Sequence, residues 1–545
     1  MLQEATASSR AAESPAVVRP VCEWLAALTT AAPLLRVYGG DGEAAGRACA
    51  RIRRLLALHR ERFGDEMVCI ARAPGRVNVM GRHVDHQGGH CVSMAIGRDV
   101  CVVAGARADR RVSLRNEAPA QFPDRDFQVD EVMRGCTPGD WRGWVDGADV
   151  RERARAAAGD WSQYARAIFA RLQARHIDRP LRGLNATVGG DVPVAAGLSS
   201  SSAIVVAMGE AIAALNGMRI DAGEFVVSCG EAEWYVGTRG GAGDHAAMKL
   251  ARAGRLVQCG FLPFHVAGTA PFPEDCLLLV CDSHQKARKT AGARDVFNHR
   301  VACYHIGREM LRQAYPELAP AIRHLRDVWP ATLGVAPAAV AEMVRRLPAT
   351  MCREEVVESV SAEVAATHLA SHRADVGDYP VRGVVLFGLA ECARSRACVP
   401  LLEEGRSAEF GNWMRRSHDG DRVSAWDALA GCRPFSADCG DEAMADWASA
   451  ARREDPRAHI ALQAGAYACS TPEIDRLVDV ATSVEGVLGA QIAGAGLGGC
   501  VMALVRAEAR AALETALAER WYLPRGLEPA VLACRPVAGS GVLAL

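Results

Sequence analysis

What this 545-residue chain lacks narrows the classes of protein it can be. No uninterrupted apolar run approaches the roughly 18 residues that a bilayer-spanning helix needs. The N-terminus, MLQEATASSRAAESPAVVRP, has no apolar core behind a basic start, so an unprocessed, soluble protein is expected. Neither sign of charge is in excess. Sixty-three Lys and Arg against 64 Asp and Glu leave a net charge of −1, which gives no electrostatic case for nucleic acid or an anionic membrane and turns attention to small molecules. Lysine itself is scarce, with only Lys249, Lys286 and Lys289, so nearly all positive charge is arginine. The 19 cysteines contain no CxxC pair, and an odd number cannot all be bridged within one chain. That pattern speaks against a disulfide framework or a zinc site and for a reducing cytoplasm. Also missing are an internal repeat, the phosphate-loop pattern GxxxxGK[ST] and any Gly-Lys dipeptide, so a bound nucleotide would need another architecture.

Half of the residues are apolar, and the chain is too long for a single hydrophobic core, which predicts two or three lobes. Residues 1–20, rich in Ala, Ser, Pro and charge, read as a disordered tail. Residues 21–63 read as a helical extension, with Ile52, Leu55, Leu56 and Leu58 at near-helical spacing. Strands are expected at Met67–Arg72, Arg98–Arg107 and Val112–Arg115, then a core-facing helix in WSQYARAIFARLQARH. Another strand, Leu184–Val188, leads through GGDVPVAAGLSSSSA into a helix that stops at Asn216-Gly217. Asp221–Tyr235 reads as helix and Leu277–Asp282 as a buried strand. Residues 296–350 and 377–430 read as mainly helical, with loops near 371–380 and 431–442. The end returns to helix, strand, glycine loop and strand in TPEIDRLVDVATSVEGVLGAQIAGAGLGGCVMALV.

Three segments carry chemistry. RAPGRVNVMGRHVDHQGGH (residues 72–90) sets a Pro-Gly turn and an apolar strand beside a dense group of Arg, His, Asp and Gln, a composition suited to a polyhydroxylated small molecule. Pro193, Gly197, Leu198, Ser199, Ser200, Ser201 and Ser202 lie between a strand and a helix. Free backbone N–H groups and the positive end of a helix dipole make such a junction an anion site, with phosphate the natural guest; a serine-rich helix cap without ligand is the alternative. AGAGLGGC (Ala493–Cys500, containing Gly496) is a second glycine loop.

These segments, in this order, resemble the three motifs of GHMP kinases, small-molecule kinases, and the first resembles the opening signature of the galactokinases. CDSHQKARKTAGARDVFNHRVAC (residues 281–303) is similar to a further galactokinase segment. The resemblance covers roughly residues 64–305 and 400–510. It implies an α+β, two-lobed GHMP kinase fold: an N-terminal lobe of ribosomal protein S5 domain 2-like type at 64–295, and a ferredoxin-like C-terminal lobe at 296–545 with a helical insertion around 310–460. It also implies ATP and Mg²⁺. Asp244, in VGTRGGAGDH, would then be the base that accepts the proton of the sugar's anomeric hydroxyl, with Arg76 keeping it ionised and stabilising transferred charge. A turn aspartate after glycines is the plain alternative. Ser201 aligns with the family's metal serine, and its carboxylate partner is Glu233 first or Glu231 second. His83, Asp85, Gly243 and Phe297 fall at sugar-facing positions, and Gly88 and Gly89 read as turn glycines.

Two departures stand out. Arg82 replaces the glutamate that galactokinases turn to the sugar's C6 hydroxyl, and Phe297 replaces a tyrosine. A guanidinium with five donors favours an anion, most simply the carboxylate of a hexuronic acid such as galacturonate. DHQGG also resembles plant galacturonokinases, which lack the glutamate but carry no arginine there. The competing expectation is that Arg82 turns outward to an acid of the helical insertion, leaving neutral galactose as substrate. A catalytically silent sugar and ATP sensor is the alternative of a different class, with 310–460 serving a partner.

Overall fold

In a computed structural model of the chain, residues 17–544 are described except 138, 195–196, 239–240, 286–290, 428–430 and 495. Of the expected tail, residues 1–16 and, at the far end, residue 545 lie outside that set. Arg19 and Pro20, also expected in the tail, instead form a short strand.

The N-terminal lobe is built on a nine-stranded sheet. Its first eight strands are β1 (Arg19–Pro20), β2 (Met67–Met80), β3 (His90–Ala106), β4 (Arg111–Asn116), β5 (Arg125–Gln128), β6 (Leu184–Gly190), β7 (Arg255–Gly260) and β8 (His265–Pro271). The order runs β1-β2-β3-β6-β4-β5, with β7 on the early part of β3 and β8 on β7. All these pairings are antiparallel except β4 with β6. Side-chain alternation along β2 and β3 sends Cys69, Ala71, Val100 and Val102 to one face, and Val68, Ile70, Cys101 and Val103 to the other. Both faces are therefore covered. Helices α1 (Val21–Ala27) and α2 (Gly42–Phe63) cover the second face; α2 starts at Asp41, whose carboxylate accepts from Ala44 N, and stops at Gly64 in a positive-φ conformation. Helices α3 (Ser162–Arg175) and α4 (Ser200–Leu215) cover the first, and α5 (Ala222–Ala232) and α6 (Gly243–Leu250) pack beside them.

The C-terminal lobe holds β9 (Cys276–Asp282), a hairpin of β10 (Ser424–Asp427) and β11 (Gly431–Pro434), then β12 (Val487–Ile492), β13 (Cys500–Arg506) and β14 (Val531–Cys534). Its main sheet is antiparallel with order β12-β13-β9-β14. A final strand, β15 (Gly541–Val542), returns to pair with β2 in the other lobe. Helix α7 (Ala291–Ala314) packs on α8 (Val381–Glu403) around Tyr304, Val384, Val385 and Phe387. Helix α9 (Ser407–Asp421) lies on β12, where a methyl built on Gly489 would stand 2.0 Å from the Gly411 carbonyl oxygen. Helix α10 (Pro472–Thr482) covers one face of the main sheet through Ile474, Leu477 and Val478.

Element types follow the sequence pattern closely, and boundaries less so. The first strand expected, Met67–Arg72, runs on through the Pro-Gly turn to Met80, because register shifts at Pro74/Arg76 and Asn78/Met80 absorb the proline without ending the pairing to β3. Residues 431–434, expected in a loop, are strand β11. Among the described residues no helix is long and apolar enough to cross a membrane.

Candidate active site

Asp244 is at the start of α6, and its carboxylate is gripped from two sides. Arg76 donates to both oxygens, Nε to Oδ1 and Nη2 to Oδ2, each at 2.6 Å, and Ser199 Oγ donates to Oδ2 at 2.5 Å. Burial alone would raise this carboxyl, but the charge of Arg76 and the hydrogen bonds from Ser199 and Arg76 carry it below its usual value. The bulge at Pro74/Arg76 is what delivers Arg76, and Nη1 then donates to the Gly197 carbonyl at 2.7 Å. Ser199 adopts φ 57° at the N-cap of α4 and caps nothing; its hydroxyl goes to Asp244 rather than staying free for phosphate.

The rest of the serine loop leads into α4. Pro193 and Gly197 are exposed, Leu198 is buried, and Ser200, Ser201 and Ser202 form the first turn; Ala195 and Ala196 lie outside the described residues. The two glycine loops meet: a methyl on Gly494 would stand 3.9 Å from Gly197 Cα. Gly496 has φ 91°, and a side chain there would reach the Cys469 carbonyl at 2.4 Å, so the close approach needs glycine.

The two candidate metal carboxylates part company. Glu231 is held by Arg171 and Arg175. Glu233 is buried, accepts from Ser202 Oγ at 2.6 Å and faces His245 Nε2 at 3.3 Å. The hydroxyl beside it is thus Ser202, while Ser201 is a side-chain hydrogen-bonding partner of Tyr164. Carboxylate and hydroxyl oxygens fit a hard cation such as Mg²⁺.

In the opening signature, Asp85 is partly exposed, with Oδ1 3.3 Å from His86 Nδ1. A methyl on Gly241 would meet Asp85 Oδ2 at 3.1 Å, whereas one on Gly243 would meet Phe261 at 3.4 Å. The glycine facing Asp85 is therefore Gly241, while Gly243, next to Asp244, faces Phe261. Asp85 and Asp244 both act on the Cys91 thiol, which burial first and then these charges push well up, so the two carboxylates share one neighbourhood. His83 is buried with φ 61°, stacked on Tyr467 at 4.3 Å, with Phe297 6.5 Å away. Burial lowers His83 to about 4, so its ring is neutral at physiological pH.

Arg82 does not match the first expectation made of it. Its Nη2 lies 2.6 Å from Asp421 Oδ2 and donates to Ser417 Oγ at 2.8 Å, both on α9. The partner is an acid of the expected insertion, but the pair faces inward; Arg82 is 2% exposed and Asp421 is fully buried. On α8, Glu391 Oε1 accepts from Gly81 N and Arg82 N at 2.8 and 3.1 Å, and its other oxygen takes Arg394 at 2.8 Å. Sequence reasoning missed Asp421, Glu391 and Ser417. No local motif marks them, and the one signal available was Arg82 itself, a cation that an interior must pair. The first arginine of the signature, Arg72, serves the sheet instead, donating to the buried Asp99 at 2.7 Å.

Known proteins resemble this chain in three segments and over most of its length. The Galactokinase galactose-binding signature matches residues 57–106, the GHMP kinases N terminal domain matches 163–252, and the GHMP kinases C terminal domain matches 441–523. The chain is thus similar to the GHMP kinases, phosphotransferases with an alcohol group as acceptor, in both of their domains. Among them it resembles the galactokinases. It is 28% identical to a galactokinase of Roseiflexus sp. over 490 residues, spanning 88% of this chain and 96% of the relative. It is 27% identical to one of Chloroflexus aurantiacus over 492 residues, spanning 90% and 96%. The fold matches Lactococcus lactis galactokinase complexed with galactose at a TM-score of 0.61 and 20% identity, covering 91% of this chain and all of that one.

Proposed function

We propose that this protein is an ATP-dependent sugar kinase that phosphorylates the anomeric hydroxyl of a galactose-like neutral hexose. The observation that carries the reading is the Asp244 carboxylate, held ionised by Arg76 and Ser199 directly against the serine loop. Phosphoryl transfer asks a protein mainly to position groups and neutralise charge, with a carboxylate accepting the hydroxyl proton. Asp244 accepts that proton, and Arg76 balances the charge. The loop at Gly197–Ser202 and the glycine loop at Gly496 take the ATP phosphates. Glu233, with Ser202 beside it and Ser201 in the same first turn of α4, would hold Mg²⁺, which would neutralise phosphate charge. Asp85 reads the sugar's hydroxyls, with His83 and Phe297 along its edge. Asp421 neutralises Arg82, which favours an uncharged sugar in that corner.

One observation favours a second substrate class. Arg82 Nε and Nη1 are buried without a hydrogen-bond partner, and a hexuronate carboxylate would supply one.

The test is sugar-dependent ADP release with a panel of galactose, galacturonate, glucuronate and amino sugars. Galactose turning over best supports the neutral-hexose reading, and a preference for galacturonate supports the second. Asp244→Asn should cut kcat by about 10²–10⁴-fold, the range for losing a general base, with ATP binding retained. No turnover on any sugar by the unmutated protein, with ATP and one sugar still bound, would make it a sensor.

A further inference from the structure

At the edge of the site described above, His83 and Asp421 also belong to a cluster of donors, completed by Cys469, that takes no proton and binds no phosphate in the proposed chemistry. His83 Nε2, Asp421 Oδ1 and Cys469 Sγ all lie within 4.8 Å of one another, and their residues are 7%, 0% and 3% exposed. The separations are 3.3 Å from Nε2 to Sγ, 3.0 Å from Sγ to Oδ1 and 3.8 Å from Nε2 to Oδ1. Zinc bonds of about 2.0–2.3 Å at tetrahedral angles put neighbouring ligand atoms about 3.3–3.6 Å apart, so the three donors need to shift by about 0.6 Å or less to meet an ion.

We propose that His83, Asp421 and Cys469 form a binding site for a borderline-soft divalent cation of the zinc class. Imidazole, carboxylate and thiolate together suit Zn²⁺ and not the oxygen-seeking Mg²⁺. Binding breaks the Cys469 S–H bond and releases its proton to solvent, with no change of oxidation state, and water takes the fourth position. Each donor is held from outside the cluster, as ligands in metal sites are. The His83 ring is fixed by stacking on Tyr467, and the Cys469 carbonyl accepts from Leu497 N at 2.8 Å. Asp421 gives its other oxygen, Oδ2, to Arg82, so Oδ1 is the one left for the ion. The three ligands come from the signature segment, the end of α9 and the chain just before α10, and 386 residues separate His83 from Cys469. The ion would therefore staple the sugar-facing segment to the C-terminal lobe. Cysteine spacing could not reveal such a site, because only one of its ligands is a cysteine.

The experiment uses the full chain, stripped with a chelator and titrated with Co²⁺ and then Zn²⁺. One equivalent of Co²⁺ is expected to give the near-ultraviolet thiolate-to-cobalt absorption and tetrahedral visible bands, which Zn²⁺ displaces. Cys469→Ser should lose the ultraviolet band, and His83→Gln should weaken binding at least tenfold. Cys432→Ser, at an exposed cysteine, should change neither. Circular dichroism confirms that each variant is folded; where Cys469→Ser is not, His83→Gln alone decides. Absence of the band in the unmutated protein, or its persistence in folded Cys469→Ser, overturns the proposal. The readout is optical on protein without sugar or nucleotide, so its failure is distinct from failure of the kinase reading.

Discussion

Asp244 sits between opposing influences. Burial disfavours its charge, while Arg76 and Ser199 hold it below the 3.8 of an ordinary aspartate. A folded-state value below the unfolded one contributes stability that is present above about pH 4 and is lost as pH falls through the folded value. The same sign keeps the proposed base ionised at neutral pH, so kcat/KM should show no inflection from this group between about pH 5 and 8. Arg76→Gln removes the opposing charge and leaves the burial. The acid limb of the variant's residual kcat/KM should then move upward, and a pH–rate profile that stays in place would show that Arg76 does not hold the carboxylate. Arg82 teaches a related lesson. Its chemistry was legible as a demand for an anion, but which anion satisfies it depends on α9, more than 300 residues away in the chain.

At the scale of elements, the expected helical insertion supports the site. Glu391 on α8 accepts the backbone N–H groups of Gly81 and Arg82, and Asp421 and Ser417 on α9 fix the Arg82 head group. What fixes α9 is its crossing over β12, where Gly411 and Gly489 let backbone touch backbone. Gly489→Ala should push the helix off the strand and cost about 1–3 kcal/mol, the usual range for overpacking. Urea melts of this variant and of Gly411→Ala check it. A rise in KM for the sugar in folded protein should accompany the loss. Helix periodicity told of α8 and α9 but not of where they dock, since docking depends on the glycines that allow close approach.

For the whole molecule, the end of the chain closes its beginning. β15 pairs with Ala71 and Arg72, Leu543 N donates to the Ile70 carbonyl at 2.8 Å, and Arg72 Nη1 donates to the Ala538 carbonyl at 2.9 Å. Val537 and Leu543 are buried in the core under α2. Truncation after Cys534 should therefore destabilise the N-terminal lobe, although the removed residues follow the C-terminal one. Losing the two side chains alone costs about 3–6 kcal/mol. Thermal melts and limited proteolysis should show early cleavage in 21–63, and an unchanged melting temperature would refute the coupling.

The sequence by itself determined the kinase class: the signature, the serine loop and the glycine loop are local patterns, because strand–loop–helix junctions and turn glycines are written in neighbouring residues. Only the tertiary structure decided which partners those residues take. It gave Ser199 to Asp244, Ser202 to Glu233, and Asp421 to Arg82. Burial makes each of these choices, since a charge or hydroxyl taken out of water must find whichever partner the fold has brought within reach.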